Sequence, residues 1–354
     1  MWYELIKRML KTYRQDSPNY SSGRQLELGF VEYSNSRNNK FRRILDIPIC
    51  YIKKVVPCRG MKLKRYMPQP YSCSERFIFH STYYRLCSNS NAINVVTVHD
   101  FTYEYYNSGI RRFVHSLTKN HTLRNADYII CISENTKRDL LKFVPDIDES
   151  KIRVIYNGAS DDFHMLDDQS MRYSADCEQY IVFVGSRAKY KNFELAVRTA
   201  AQAKLRLKIV GARLDNDERN FVTRCLGNNF DEMVYIDNEA LNKLYNKAFA
   251  LIYPSSYEGF GLPVIEAQKA GCPVLALDTS SITEIIGFKE QLAKEATPEE
   301  LCQHIKHLLQ PEYRQYIVQR GIENSHRYTW DRTFNEYIAL YKEITDKYVK
   351  TEKQ

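Results

Sequence analysis

No run of 18 apolar residues occurs anywhere in the 354-residue chain, so a membrane-crossing helix is not expected. The opening Met1-Trp2-Tyr3-Glu4-Leu5-Ile6-Lys7-Arg8 has no apolar core long enough for a signal peptide, which leaves a cytoplasmic protein as the expectation. A CxxC pair is missing too. The nine cysteines (50, 58, 73, 87, 131, 177, 225, 272 and 302) are scattered and odd in number, a pattern that argues against a disulfide framework and a zinc site and for reduced packing residues. Neither an internal repeat of fixed period nor a nucleic-acid recognition motif is present.

What is present is a long chain of uneven charge. At 354 residues it exceeds the size at which one core keeps growing, so two domains with a ligand cleft between them are expected. Residues 1–100 hold 17 Lys/Arg against 7 Asp/Glu, a net +10, while the whole chain is only +8. The densest basic stretch is Lys53, Lys54, Arg59, Lys62, Lys64 and Arg65, interleaved with Val, Met, Leu and Tyr. Such a segment reads either as a solvated basic face or loop, or as a contact for anionic lipid headgroups, where each cation contributes about 1 kcal/mol. Nucleic acid is the weaker alternative.

Met1–Tyr13 reads as an amphipathic helix and Ser17–Asn39, rich in Ser, Asn and Arg, as loop. From Phe77 short apolar runs alternate with helical stretches: Phe77–Phe79, Asn94–Val98, Tyr128–Ile132 and Lys151–Ile155. The acidic, polar stretch Asp161–Gln179 reads as a linker. A second series follows at Ile181–Val184, Leu207–Val210, Met233–Ile236, Phe249–Tyr253 and Val274–Leu277, and Trp330–Val349 has helical periodicity. This alternation predicts two consecutive doubly wound α/β domains with parallel sheets.

The most informative segment runs from Phe249 to Ala267. The apolar run Phe249–Tyr253 reads as a buried parallel strand ended by Pro254. Gly259 and Gly261 permit a sharp turn and a close backbone approach to a ligand, and Pro263 with Gly271 predicts a helix over roughly Pro263–Ala270. Glu258 then lies in the loop and Glu266 near the helix start. A lone acid there would merely complement the helix dipole. Two acids flanking Gly259-Phe260-Gly261 at a strand's carboxyl end point instead to a ligand, because open α/β sheets bind ligands there. Tyr180–Asn192 gives a second such unit: a strand, Gly185, then Arg187 and Lys191 before a helix that starts near Asn192. Helix N-termini attract phosphate, and cations at 187 and 191 add to that attraction.

These segments, continued by Ala270–Ala276 and Ser280–Ile285, resemble the Glu-x7-Glu signature of retaining GT-B glycosyltransferases, family 4 (glycosyl transferases group 1), including bacterial O-antigen and capsule mannosyltransferases. The resemblance implies a GT-B fold: residues 1–165 as the acceptor-side Rossmann-like domain, 166–329 as the nucleotide-sugar domain, and 330–354 as a helix crossing back. It places Glu266 on the donor ribose and Glu258 beside the donor sugar. Gly185, Arg187, Lys191, Gly259, Phe260, Gly261 and Leu262 complete the donor site, with Arg187 and Lys191 neutralising the diphosphate. With that charge supplied by side chains, no metal or other cofactor is expected. Asp146-Ile147-Asp148 and Asp215-Asn216-Asp217 match the metal-holding Asp-x-Asp pattern, but in polar stretches they read as solvated loops.

In the first half, Val95–Phe101 ends a strand in His99-Asp100, a phrase that also occurs in the family. By resemblance His99 faces the donor sugar and acts in catalysis with Glu258, Arg187 and Lys191, while Asp100 orients a backbone group or cation. His80 and Asp100 are the acceptor-side candidates. Cys131–Asp139 reads as a strand and a capped helix, and Tyr156-Asn157-Gly158 as a turn. Family members begin with a strand and Gly-Gly loop, which this sequence does not show before its first helix. The expected function is hexose transfer, mannose from GDP-mannose favoured, to a glycan or lipid-linked glycan acceptor, at the inner face of the cell membrane. The alternatives are an inert nucleotide-sugar-binding relative and, with no acid/base pair to support it, a sugar-nucleotide epimerase.

Overall fold

A computed structural model describes residues 1–13, 27–64, 67–168, 173–174 and 179–351. Three parallel sheets organise the chain, of two, four and six strands. The first half contains helix α1 (Trp2–Tyr13), strand β1 (Phe30–Tyr33), α2 (Lys40–Leu45), β2 (Ile52–Val56), α3 (Met61–Lys64), β3 (Phe77–Ser81) and β4 (Ala92–Val98), followed by α4 (Thr102–Tyr106), α5 (Gly109–Arg124), β5 (Tyr128–Cys131), α6 (Glu134–Phe143) and β6 (Ile152–Val154). Strands β3 to β6 lie side by side in chain order, and β1 and β2 form a separate parallel pair.

The apolar runs of the four-stranded sheet are continuous because both faces are covered. Ile93, Val95, Tyr128 and Ile130 pack under α1 through Leu5 and Met9, whereas Val96, Val98, Ile129 and Cys131 pack against Leu123 and Leu140 on the opposite face. Helix α1 serves two sheets at once: Ile6 and Leu10 pack with Phe30, Tyr51 and Ile52 of the β1–β2 unit.

The second half contains β7 (Tyr180–Val184), α7 (Phe193–Ala203), β8 (Arg206–Gly211), α8 (Asn216–Leu226), β9 (Phe230–Val234), α9 (Asn238–Lys247), β10 (Ala250–Tyr253), α10 (Leu262–Lys269), β11 (Val274–Leu277), α11 (Ile282–Ile285) and β12 (Leu292–Ala293), then α12 (Pro298–Leu308), α13 (Pro311–Ser325) and α14 (Trp330–Thr351). The strand order is β12-β11-β10-β7-β8-β9, all parallel. Order reverses between β7 and β10. A crevice therefore opens at their carboxyl ends, the usual ligand position of a doubly wound sheet.

Three sequence readings need correction. Part of the loop expected over Ser17–Asn39 is strand β1, which pairs with β2; four residues beside a polar stretch carry too little periodicity to be recognised. The rest of that reading, residues 17–26, lies outside the described residues, as do Arg65 and Cys177. Within the basic stretch, Ile52–Val56 is strand rather than loop, with Lys53 and Val55 on the exposed side. The linker expected over Asp161–Gln179 includes residues 169–172 and 175–178, also outside the description, but its start is docked. Phe163 is fully buried, and the backbone N–H groups of His164 and Leu166 donate to Asn242 and Asn246 of α9.

Helix α14 lies on the four-stranded sheet, where Tyr337, Leu340, Tyr341 and Ile344 join the core beneath α1. Its tyrosines enclose His80 of β3. Nδ1 of His80 is 2.6 Å from the Tyr341 hydroxyl and Nε2 is 2.9 Å from Thr97 Oγ1. With both ring nitrogens occupied and Trp2 and Tyr337 against the ring, His80 packs the helix onto the sheet and does not face an acceptor. Burial pushes its imidazole down to about 3. The folded protein thus binds fewer protons at His80 than the unfolded chain between about pH 3 and 6.5, so this contribution to stability is lost as pH falls through that window. In urea titrations the stability advantage of wild type over His80→Gln should narrow as pH drops from 7 to 5, and a constant difference would contradict this placement.

Candidate active site

The crevice between β7 and β10 collects most of the residues expected from sequence. After β7 the chain turns at Gly185 and runs through Arg187 to Lys191 before α7; after β10 it runs through Pro254–Gly261 into α10. Gly261 has a positive φ of 101° and already touches Ile282, so a side chain there would both strain the backbone and collide. That turn aims the start of α10 at the crevice.

Side-chain capping varies among the helices of the second half, and α11 and α13 have none. Helices α8, α9 and α12 are capped by the side chains of Asp215, Asp237 and Thr297. Helices α7 and α10 have no side-chain cap: Asn192, which precedes α7, gives its amide to Pro254 O and Ser256 Oγ, and Gly261 precedes α10. Pro263 has no N–H, and those of Leu195 and Val264 donate to Asn192 O and Gly261 O, but the N–H groups of Phe193, Glu194 and Leu262 have no partner among the described residues and, with the positive dipole ends, are positioned for an anion.

Lys191 Nζ donates to Glu258 Oε1 at 2.5 Å and to the Tyr253 hydroxyl at 3.3 Å. Sequence reasoning treated Lys191 and Glu258 as separate partners of a ligand, but the structure pairs them with each other. Arg187 departs further from expectation. Its Nη1 and Nη2 donate to the carbonyls of Ala212 and Arg213 at 3.0 and 2.8 Å, and Nε lies 2.7 Å from Glu218 Oε1 as an ion pair off the N–H direction. In this state Arg187 ties the Gly185 turn to the loop after β8, so a diphosphate would reach it only by competing with Glu218.

Glu266 differs from these paired groups. It sits on the fifth residue of α10, half-buried, with no hydrogen-bond or ion-pair partner among the described residues. Desolvation pushes its carboxyl up to about 7. The Tyr245 hydroxyl, close enough to feel the Glu266 charge, is buried without a partner among the described residues.

The opposite wall comes from the first half. His99 follows β4 and its imidazole is held below its ordinary value, chiefly by burial. Gly259 lies directly against it: a Cβ on Gly259 would stand 2.0 Å from His99 O and 2.9 Å from Asp100 Cβ. Only glycine allows that approach. Asp100 Oδ1 accepts the Thr102 N–H at 2.9 Å, and its carbonyl accepts from buried Lys119 at 2.6 Å. Asp100 thus shapes the turn into α4 through Oδ1 and its carbonyl.

Sequence reasoning missed the residues that join the two halves. Ser133 Oγ and Thr136 Oγ1 donate to Gly259 O, and Tyr257 OH donates to Asp139 Oδ2 while accepting the Phe101 N–H. Glu284 accepts the N–H groups of Glu134 and Asn135 at the start of α6, and the Tyr156 hydroxyl. The capped α6 and the turn at Tyr156 were visible as local structure, but nothing local indicates that Glu284, 150 positions away from Glu134, supplies part of the cap. Three of the four Asp-x-Asp carboxylates are engaged: Asp215 shares a capping box with Glu218, Asp146 pairs with Arg124, and Asp148 caps the turn at Ser150, while Asp217 is exposed.

Residues 172–324 match the family model Glycosyl transferases group 1, and residues 73–163 match Glycosyltransferase Family 4. The chain belongs to these glycosyltransferases. Over 109 residues, 30% of this chain and 29% of the relative, it is 33% identical to O-antigen chain mannosyltransferase B of Escherichia coli. Over 210 residues, 54% of each, it is 28% identical to O-antigen chain mannosyltransferase RfbU of Salmonella typhimurium. The matches thus span well under two thirds of either relative. Similar solved structures include sucrose-phosphate synthase from Thermosynechococcus elongatus (TM-score 0.61, 23% identity, 72% of this chain and 69% of that one) and Anabaena HepE in complex with UDP and glucose (TM-score 0.61, 15% identity, 71% and 72%). The glycosyltransferase fold is GT-B: two Rossmann-like domains of parallel α/β architecture.

The Glu266 carboxyl generates a pH test. A ribose diol donates hydrogen bonds to the ionised carboxylate, so nucleotide binding should release a proton below about pH 7. Calorimetric affinity for GDP should rise from pH 6 to 8 in wild type and stay level in Glu266→Gln; parallel pH profiles would remove Glu266 from the site. Without ligand the sign is opposite for stability. Because the folded carboxyl is raised, stability is lost as pH rises from the unfolded carboxyl value to about 7, and Glu266→Gln should recover it above that pH.

Proposed function

We propose that the protein transfers a hexose, with mannose favoured, from a nucleotide-sugar to a glycan acceptor in cell-surface polysaccharide or lipopolysaccharide synthesis, with retention of anomeric configuration. The carrying observation is the convergence at one crevice of two helix N-termini without side-chain caps, Lys191 and Glu266, which has no partner among the described residues, with His99 on the opposite wall. The mannosyltransferase names of the two relatives favour mannose, and with it GDP-mannose.

In this reading the diphosphate lies between the starts of α7 and α10, where backbone N–H groups and Lys191 stabilise its charge. The donor ribose meets Glu266, and the sugar lies beside Glu258 and His99. Transfer breaks the anomeric C–O bond to the diphosphate as the acceptor hydroxyl attacks the same face; the hydroxyl proton passes to the departing phosphate oxygen. A front-face course fits the side chains, since Glu258, the carboxylate placed beside the sugar in this reading, is engaged by Lys191. Charge neutralisation by Lys191 and the helix termini, with Asp146, Asp148 and Asp215 engaged in caps and an ion pair, supports a metal-independent reaction.

The β1–β2 unit supports a peripheral membrane contact. Phe41, Ile44, Val55 and especially Ile49, 84% exposed, share it with exposed Lys40, Arg43 and Arg59. The charge is smaller than the composition implies, because Arg42 and Lys53 pair with Glu32 and Glu27. Among the described residues no helix is long and apolar enough to cross a membrane, so any contact of this unit is with the surface.

Incubation with radiolabelled GDP-mannose and a lipid-linked glycan should move label into the glycan. Lys191→Ala should lower kcat by about 100-fold, as loss of one preorganised charge contact does, and Glu266→Ala should raise the donor KM. Donor binding without transfer or hydrolysis would favour the inert relative. In co-sedimentation the protein should bind phosphatidylglycerol vesicles and not phosphatidylcholine vesicles, with Ile49→Glu weakening the association; equal binding to both would discard the lipid contact.

A further inference from the structure

With His80 packed beneath α14 and Asp100 committed to a turn, the cleft still presents a surface that neither the sequence nor its relatives assign. Tyr106, the last residue of α4, belongs to the first half; Tyr190, just before Lys191, belongs to the second. Their rings meet across the cleft at a centroid separation of 5.0 Å and an interplanar angle of 34°. Tyr106 nevertheless remains 44% exposed and Tyr190 half-buried, so much of the Tyr106 side chain still meets solvent while its ring contacts Tyr190.

The pair stands at the reacting end of the crevice. Lys191 Nζ lies 5.5 Å from the Tyr190 ring centroid while it donates to Glu258. Tyr190 is pinned to the Glu258 loop by its carbonyl, which accepts the Ser256 N–H at 2.7 Å. Beneath Tyr106, Tyr257 and Tyr105 continue the aromatic surface, with Tyr257 6.2 Å from Tyr106 and 4.9 Å from Tyr105. Burial, and after it the charge of Glu258, holds both the Tyr106 and Tyr190 hydroxyls above their ordinary value, which places both near that carboxylate.

We infer that Tyr106 and Tyr190 form a sugar platform at the cleft mouth, on which the terminal pyranose of the acceptor glycan stacks beside the Lys191–Glu258 pair. A pyranose has one face of C–H groups and a rim of hydroxyls. An exposed aromatic ring removes the C–H face from water, while the rim stays free to present a hydroxyl toward the donor. Both rings are needed because each half supplies one, so the platform is complete only when the halves are closed. An apolar core contact would instead bury the ring, as it buries Tyr257, which is 5% exposed.

This inference rests on the transferase reading and can fail separately from it. The probe is methyl α-D-mannopyranoside in the presence of GDP, read by saturation-transfer NMR and, with GDP-mannose as donor, by initial rates. Ring C–H protons of the probe should receive saturation from wild type and Tyr106→Phe, with a drop of about fivefold in Tyr106→Ala. The probe's KM should rise about tenfold in Tyr106→Ala and in Tyr190→Ala, with the donor KM moving by less than about twofold. Tyr316→Ala, at an exposed tyrosine of α13, should behave as wild type. Undiminished saturation in Tyr106→Ala would overturn the platform, and so would equal rises in both KM values, which would make the pair an interdomain fastening. Saturation of the probe by wild type without any donor turnover would defeat the transferase reading and leave the platform standing.

Discussion

The approach of Gly259 to the backbone of His99 is the constraint from which the site follows. At this point two parallel-sheet units touch with no side chain between them, and any Cβ would overlap the His99 carbonyl. The contact is directional because the Gly259 carbonyl is held by Ser133 and Thr136 at the start of α6. Glu284 completes the same α6 terminus from the second half. A helix start normally satisfied within its own unit is thus shared, and its unpaired N–H groups become the adhesive between halves. The Glu258 loop, the His99 turn and the two cleft tyrosines take their places from that docking.

The electrostatics of the crevice have the same logic. Positive groups are present, but in this state they are compensated: Lys191 by Glu258, Arg187 by Glu218. Among the described residues, the ends of α7 and α10 and the Glu266 carboxyl are left uncompensated. An anion with a diol attached satisfies both kinds at once, which a simple phosphate would not. The internal ion pairs hold the cations in position before a ligand arrives, and preorganisation of that kind is what electrostatic stabilisation of a leaving group requires. Buried Lys119, between the Asp100 carbonyl and Glu104, plays a comparable supporting part beneath the His99 turn.

The second half was far more legible than the first. Strands such as Ala250–Tyr253 and Val274–Leu277 are unbroken apolar runs between glycine and proline punctuation, because they are buried on both faces, and their limits fell within a few residues of expectation. The β1–β2 unit was opaque for the converse reason. Its strands are short, half-exposed and charged, and they gain stability from α1 and not from their own pattern. His80 looked like a site residue since it ends an apolar strand, yet the tyrosines that claim its ring lie some 260 positions away on α14.

The amino-acid sequence by itself determined the period of each buried element, the glycine turns after two strands, and the presence of two acids and two cations beside those turns. These are local properties, set by backbone sterics and by the alternation of apolar groups. Only the tertiary structure decided which charges pair with one another, that Glu266 has no partner among the described residues, that Glu284 caps a helix of the other half, and that Tyr106 and Tyr190 meet across the cleft. Such pairings depend on distances between segments far apart in the chain. A local pattern carries no information about those distances until both sheets are packed and Gly259 has brought them together.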